Sequence, residues 1–238
     1  MYHSISFGEK NSWVDWHLIP SSRPAFSPPK PDIKLLSIPG KSGSLDVTEI
    51  MDKQVVYADR TGSFEFFVDH EQWSSWVEAY RTVMNYLHGQ KMQAVLEDDP
   101  DYYYEGRFSV NQYKSNQNWS SIVIDYVANP FKFRRYEYGR DWIWDTFNFN
   151  TDRLDVLESI EVSNTGVIIE LFGYGYRTIP IITCSTDKIS MYFDNYLTPI
   201  QLSKGDNKPS LAVITEGRHQ LRFVGKGTIS ISYRGGSL

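Results

Sequence analysis

The sequence predicts a mainly β protein of two domains, an α+β domain followed by an antiparallel β-sandwich. In the first half, short apolar strands surround a single stretch of helical periodicity, which is typical of a helix packed on a sheet. From residue 154 onward no helical period occurs, and short apolar segments alternate with turn residues, as in a sandwich. A boundary near Asn129-Pro130 gives domains at 1–133 and 134–238.

The first domain begins with short strands and a proline-rich surface excursion. Prolines remove ladder hydrogen bonds and favour extended backbone, so residues 20–31 are predicted to run over the surface. Turn residues bound the further predicted strands, which are Ile33–Ile38, Gly62–Val68, Met92–Leu96, Tyr102–Val110 and Ser121–Val127.

One helix is predicted between the second and third of these strands. Apolar residues recur at helical spacing from Trp73 to Leu87, and Gly89 stands where a left-handed residue ends a helix. With a start at Asp69 or His70, the helix would be about 28 Å long and would cover one face of a sheet.

The second domain is predicted to contain seven short strands separated by turns. They are Ser159–Val162, Val167–Leu171, Ile179–Cys184, Ile189–Phe193, Ser210–Ile214, His219–Val224 and Thr228–Tyr233.

The composition excludes several classes of partner. Formal net charge is −5 and no dense Lys/Arg cluster occurs, so nucleic acid is not expected to bind. No signal peptide and no apolar run of membrane-spanning length is found, so we expect synthesis in the cytoplasm and no membrane insertion. The single Cys184 cannot form an intramolecular disulfide and is expected to be a small buried hydrophobe.

No pattern in the sequence predicts catalysis, a cofactor or a bound metal. The acidic run Glu97–Asp101 with Glu105 could hold a hard cation, but it lacks the alternate ligands and central glycine of a calcium loop, and a solvated turn explains it more simply. None of the five histidines has metal-ligand spacing. A hydrolase would need polar groups brought together by the fold, and no particular pair is indicated.

Several segments together resemble the distal tail (Dit) proteins of siphophage-type tails. The most specific is the acidic turn that follows a helix and a strand and leads into an aromatic strand with Glu-Gly-Arg. The matching segments are Leu87–Met92, Leu96–Arg107, Trp13–Leu18, Ile38–Asp46 with Thr48-Glu49, Gly62–Phe66, Asn129–Lys132 and Gly227–Leu238.

This resemblance implies a structural role and a set of partners. The first domain would be related in fold to tail tube proteins and would form a homo-hexameric ring, while the second would be a galectin-like sandwich. The ring would lie in the virion, at the distal end of the tail. It would contact the major tail tube protein above, a tail-associated (Tal-type) protein below, and receptor-binding or baseplate proteins outside.

A ring needs contacts between different patches of neighbouring copies, and extended arms and aromatic residues are suited to them. We therefore expect interface residues at Trp13, at Trp16 and in the segment 20–31, and in second place in the loop 39–46. Trp13 and Trp16 could equally fill the core of the first domain. The candidates are Trp13, Trp16, Pro20, Arg23, Pro28, Pro29, Pro39, Gly40, Gly43 and Asp46.

The alternative function is binding of host cell-surface carbohydrate by the sandwich. Aromatic platforms stack on sugar faces, although tyrosines at alternating spacing also occur on ordinary sheets. The candidates for such a platform are Tyr174, Tyr176, Tyr192 and Tyr196.

Overall fold

The structure is a computed structural model that describes residues 3–50, 54–69, 71–73, 75–115, 120–135, 157–173, 175–195 and 197–238. The chain divides into two compact units, residues 1–132 and 133–237, so the division lies one residue before the boundary at 133 expected from the sequence. In the described ranges no helix is long and apolar enough to cross a lipid bilayer.

The first unit is built on one antiparallel sheet. Its elements are β1 (Ile5–Phe7), β2 (Lys10–Asn11), β3 (Leu18–Pro20), β4 (Leu35–Ser37), β5 (Ser44–Asp46), β6 (Arg60–Val68), α1 (Trp76–Leu87), β7 (Gln90–Leu96), β8 (Tyr102–Ser115) and β9 (Ser120–Ala128). The strand order is β2-β1-β7-β8-β9-β6-β3, and β4 and β5 form a separate hairpin. A short strand, β10 (Lys132–Arg134), follows.

The core of this unit lies on one face of the sheet and includes one side of the helix. Along β6 the residues Phe64, Phe66 and Val68 alternate with more exposed neighbours, which is the period of two expected of a half-buried strand. From α1, the side chains of Ala79, Val83 and Leu87 belong to the same buried cluster. The mainly β class with one helix packed on a sheet is therefore confirmed.

The helix begins later than the sequence predicted. The backbone N–H groups of Gln72 and Trp73 donate to the carbonyl of Asp69, which closes a turn ahead of the helix. Ser75 then has extended backbone and accepts a hydrogen bond from the Val77 N–H, so it is the N-cap. The predicted start at Asp69 is wrong, and His70 lies outside the described residues. With 12 residues, α1 is about 18 Å long.

The second unit is a sandwich of two antiparallel sheets. Its strands are β11 (Ile160–Val162), β12 (Val167–Gly173), β13 (Ile181–Cys184), β14 (Ile189–Phe193), β15 (Ile200–Leu202), β16 (Gly205–Asn207), β17 (Gly217–Gly225) and β18 (Gly227–Ser232). A further short strand, β19 (Gly236–Ser237), belongs to neither sheet. In the described residues the two sheets have the orders β11-β18-β13-β16 and β12-β17-β14-β15. Inward-facing residues of both sheets, such as Ile182 and Phe223, form one buried cluster.

Two details of the sandwich differ from the sequence-based prediction. Ser210–Ile214 is not a strand. The Ala212 N–H donates to the Pro209 carbonyl, which makes a turn there, and only Ile214 of this segment pairs with another strand position, Thr178. Strands β15 and β16 were not predicted. Their pairing with neighbours overrides the poor strand propensity of the Gly-Asp-Asn sequence in β16.

Candidate interaction surfaces

A long two-stranded arm, residues 28–59, extends from the first unit. Its stem pairs antiparallel, since the Asp32 N–H donates to the Val56 carbonyl and the Ala58 N–H donates to the Lys30 carbonyl, each at 2.8–2.9 Å. Beyond the stem, β4 and β5 form a hairpin with Leu36 opposite Leu45. In its described part, residues 28–50 and 54–59, the arm thus contains a paired stem and a hairpin.

The described part of the arm is exposed and rich in apolar side chains. Leu35 and Leu36 are 61% and 53% exposed, and as consecutive strand residues they point to opposite faces of the ribbon. The other exposed aliphatic residues of the arm are Ile33, Ile38, Leu45, Ile50 and Val56. An isolated two-stranded ribbon is at best marginally stable in water, and concentrated apolar surface of this kind marks an interaction site.

The base of the arm is fixed to the sheet by a buried arginine. Arg60 is buried. Its Nε donates to the Pro130 carbonyl and its Nη1 to the Ser27 carbonyl, both at 2.8 Å. The Tyr126 hydroxyl accepts the Ser27 N–H at 2.8 Å. The Ser27 hydroxyl in turn donates to the Thr61 carbonyl at 2.6 Å. The point at which the arm leaves the sheet is therefore well defined.

The tip of the arm contains the predicted loop 39–46. Pro39, Gly40, Gly43 and Asp46 are all exposed. Gly40 and Gly43 both have φ of +82°, a left-handed conformation that a residue with a Cβ rarely adopts, which explains glycine at the turn of this hairpin. The Asp46 carboxylate accepts hydrogen bonds from the N–H and the hydroxyl of Thr48, and these lower the pKa of Asp46.

The segment before the arm is only partly available to a partner. Phe26 is buried in the core, where its ring stacks on Tyr104 at 3.9 Å between centroids. Pro20 is half-buried in β3 opposite Phe66. The remaining candidates of this segment are more open, since Arg23 and Pro28 are exposed and Pro29 is half-buried.

Trp16 is not a surface residue, so its assignment to an interface is wrong. It is 2% exposed, its ring stacks on Phe7 at 6.1 Å, and Tyr86 packs edge-on against it at 5.6 Å. Its carbonyl accepts a hydrogen bond from the Trp73 indole N–H at 2.7 Å. Trp16 fills the core, which was the other reading that the sequence left open.

Trp13 lies in the turn between β2 and β3 and is half-buried. The Asn11 side-chain oxygen accepts the N–H groups of Trp13 and Val14 at 2.9 and 3.0 Å, which holds the turn. Val14 is 71% exposed beside it. Trp13 and Val14 therefore remain candidates for contact with another chain.

The carboxylates of Glu97, Asp98 and Asp99, in the acidic turn after β7, bind separate partners within the described part of the chain. Glu97 accepts hydrogen bonds from the N–H and hydroxyl of Ser4, and these bonds lower the pKa of its carboxyl group. Asp98 binds Arg23 at 2.7 Å and His3 at 2.8 Å, while Asp99 binds Lys132 at 2.7 Å. Each carboxylate thus has its own partners, and no group of three possible metal ligands is found among the described residues.

Glu105 and Arg107, on the aromatic strand that follows the acidic turn, bind different partners. They are two residues apart on β8, and each has a partner on the neighbouring segment. Glu105 binds Lys91 at 2.6 Å, and Arg107 donates to the Gly89 carbonyl at the end of α1.

The second unit contains a polar cluster that the sequence analysis missed. His219 Nδ1 lies 2.9 Å from an Asp194 carboxylate oxygen, and its Nε2 lies 3.2 Å from the Thr215 hydroxyl. This order of hydroxyl, imidazole and carboxylate is that of a nucleophilic triad. However, Nε2 also accepts the Thr215 backbone N–H at 3.0 Å, so its lone pair is already engaged. We interpret the cluster as a clamp that holds the connection before β17.

The tyrosines predicted for sugar binding divide into two groups. Tyr174 and Tyr196 lie outside the described residues. Tyr176 is half-buried and packs edge-on against Phe133 at 4.9 Å. Tyr192 is half-buried on β14, with the Arg222 guanidinium 5.9 Å from its ring. Sugar binding therefore stays an untested prediction.

The fold is similar to that of a solved phage protein. No protein-family model matches the chain, and no curated protein matches it. Among solved structures it is similar to the Dit protein (gp 19.1) of phage SPP1, described as a paradigm of the hub adsorption apparatus in phages that infect Gram-positive bacteria. The TM-score is 0.61 at 12% identity, over 98% of this chain and 99% of the SPP1 chain. The chain thus has a fold similar to that of the SPP1 Dit protein, as the resemblance of the sequence segments predicted.

Proposed function

We propose that this chain, with its Dit fold, is a structural hub protein of a phage tail tip. Six copies would close into a ring at the distal end of the tail, with the first unit forming the ring and the second a galectin-like sandwich. The fold resembles that of a phage hub protein over nearly its whole length, which supports an assembly role and not catalysis.

The apolar arm is the observation that carries this proposal. In a cyclic ring each copy offers one patch and receives a different one, and an element that reaches beyond its own core is well suited to such a contact. The arm has seven exposed aliphatic residues in its described part, which are Ile33, Leu35, Leu36, Ile38, Leu45, Ile50 and Val56. Full burial of a side chain of this size contributes about 1.5–3 kcal/mol. Docking of the arm against the next copy would therefore stabilise a ring substantially.

The partners of the ring follow from its place in the tail. We expect the major tail tube protein on one side and a tail-associated (Tal-type) protein on the other, with receptor-binding or baseplate proteins outside. Pro39, Gly40, Gly43 and Asp46 at the tip of the arm, with Trp13 and Arg23 nearer the sheet, are the residues that we assign to contacts between copies. The exposure of the four tip residues and of Arg23 supports this assignment.

The arm can be tested by replacing its apolar residues without disturbing the core. We expect the double substitution Leu35→Ser/Leu36→Ser to leave the secondary structure unchanged, because both side chains are exposed within one copy. Assembly into a ring should be lost, because both faces of the ribbon lose an apolar anchor. The measurement is the molar mass of the full chain by light scattering across a concentration series.

The matched control is Leu197→Ser/Leu211→Ser, which removes two exposed leucines, 94% and 66% exposed, from the second unit. It should assemble as the unsubstituted chain does. Equal assembly of the arm variant and the control would show that the arm does not make the contact between copies.

A further inference from the structure

Strand β12 is the longest edge strand of the sandwich; in the described part of the chain it is open at Ile168 and Glu170, and the Tyr233 hydroxyl covers it at Phe172. It has seven residues, whereas the other edge strands of the two sheets, β11, β15 and β16, have three each. Among the described residues it pairs with β17 on one side and with no strand on the other. A long apolar edge strand of this kind can pair with another chain, and proteins normally shorten or cover such edges.

The free backbone groups of β12 can be identified from its neighbours. The N–H and carbonyl of Phe172 both contact the Tyr233 hydroxyl, at 3.4 and 3.1 Å, so they point away from β17. Because backbone direction alternates along a strand, the groups of Ile168 and Glu170 point the same way. Gln220, which lies opposite Glu170 on β17, supports this direction. Its N–H donates to the Asp194 carboxylate on the β14 side, away from β12. Within the described chain no second strand pairs with the N–H and carbonyl groups of Ile168 and Glu170.

The side chains beside this edge are apolar and charged. Ile168 is 60% exposed on the outer face of the sheet, while Ile169 and Leu171 point into the core. Glu170 binds Arg218. Arg222, on β17, lies directly opposite Ile168. In the part of the chain that the structure describes, it has no carboxylate partner.

We propose that β12 pairs antiparallel with β12 of a second copy of this chain, about a two-fold axis at Ile169. In this register Ile168 lies opposite Glu170 of the second copy, and the two pairs exchange four N–H to carbonyl hydrogen bonds. All the free groups of Ile168 and Glu170 in both copies are then satisfied.

Charge complementarity favours this occupant and this register. Arg222 and Ile168 of one copy and Glu170 of the other stand in one row on the same face. The Cα atoms of Arg222 and Glu170 of the second copy are then about 10 Å apart, a span that two long side chains can bridge. The unpaired arginine thereby gains a carboxylate partner, and the two-fold axis repeats the pair.

This contact is distinct from the one proposed for the ring. A two-fold contact joins the same patch of two copies and ends there, whereas a ring is closed by unlike patches. It therefore pairs two free chains or two chains from different rings.

The register is tested by disulfide formation between two singly substituted full-length chains. Opposite residues in a hydrogen-bonded pair have Cα atoms about 5.5 Å apart, which suits a disulfide. We expect a mixture of the Ile168→Cys and Glu170→Cys chains to form a 168–170 disulfide several-fold faster than either chain alone. The native Cys184 is buried and provides a low background. Equal rates in the mixture and in each chain alone would overturn the proposed register.

A charge exchange tests the pairing itself. Arg222→Glu and Glu170→Arg should each weaken self-pairing about ten-fold through like-charge contacts, while the mixture of the two variants should regain it. Pairing is measured by sedimentation of a labelled Arg222→Glu chain, alone and with an excess of the unlabelled second variant. Glu161→Arg is the matched control in place of Glu170→Arg, since it makes the same charge change on the edge strand of the other sheet. A labelled Arg222→Glu chain that pairs no better with Glu170→Arg than with the control would contradict the proposal.

Discussion

Arg60 is a buried cation whose hydrogen bonds go to backbone carbonyls. It is 4% exposed, it donates to Ser27 and Pro130, and its guanidinium lies 5.5 Å from the centre of the Tyr104 ring. Its desolvation lowers the pKa of the guanidinium from the ordinary value. The residue thus joins the base of the arm to the end of β9.

We expect Arg60→Met to lower the free energy of unfolding by about 1–3 kcal/mol, because two partly buried carbonyl groups lose their donors. Urea denaturation followed by tryptophan fluorescence measures the change. Arg81→Met, at an exposed position of α1, is the control and should stay within about 0.5 kcal/mol of the unsubstituted chain. A similar small effect for Arg60→Met would show that these bonds contribute little.

Glu97 should make stability depend on acid pH. Hydrogen bonds from the N–H and hydroxyl of Ser4 hold the pKa of Glu97 below its ordinary value of 4.5. A lowered folded-state pKa gives stability that is present above pH 4.5 and is lost as the pH falls through the folded value. Glu97→Gln should therefore shrink the difference in urea midpoint between pH 7 and pH 3. Glu216→Gln serves as the control, and an equal difference in both variants would contradict this account.

At the residue scale, the sequence could predict which side chains carry apolar surface but not where that surface points. Trp13 and Trp16 are three residues apart in one turn, yet one is half-buried and the other is in the core. The difference arises from contacts of Trp16 with Phe7, Tyr86 and Trp73, which come from distant parts of the chain. No local pattern encodes such contacts.

At the scale of elements, the N-terminus of α1 depends on its cap. Ser75 accepts the Val77 N–H at 3.2 Å and satisfies one of the free donors of the first turn. We expect Ser75→Ala to lower the free energy of unfolding by about 1 kcal/mol. Thr82→Ala, on the exposed side of the helix, should slightly raise it, because alanine has the higher helix propensity. The measurement is the thermal unfolding midpoint of each variant. Equal shifts of the midpoint in Ser75→Ala and Thr82→Ala would exclude a capping role for Ser75.

Strands with alternating apolar residues could be predicted from the sequence. Strands that form only because they pair with an adjacent strand could not. The predicted Ile189–Phe193 has the bounds of β14, and the predicted Gly62–Val68 lies within β6. In contrast, β16 exists because it pairs with β13, and its Asn207 side chain donates to the backbone of Ile182 and Ser203. The helix start was missed because Asp69 and Ser75 are both good caps, and the turn at Asp69 settles which one is used.

At the scale of the whole molecule, the arm contrasts with the two compact units. Each unit has its own buried cluster, whereas the described aliphatic residues of the arm belong to neither. The resemblance in sequence predicted a Dit fold, and the likeness to the SPP1 protein bears this out over the full length. The ring itself is a property of several copies, so neither the sequence nor the structure of one copy contains it.

The ring is tested most directly by the molar mass of the purified chain over a concentration series, with negative-stain imaging of the largest species. The account predicts a species of six copies, which appears as a six-fold ring with an open centre. A chain that stays monomeric at every concentration, and also when mixed with its tail tube and tail-tip neighbours, would contradict it.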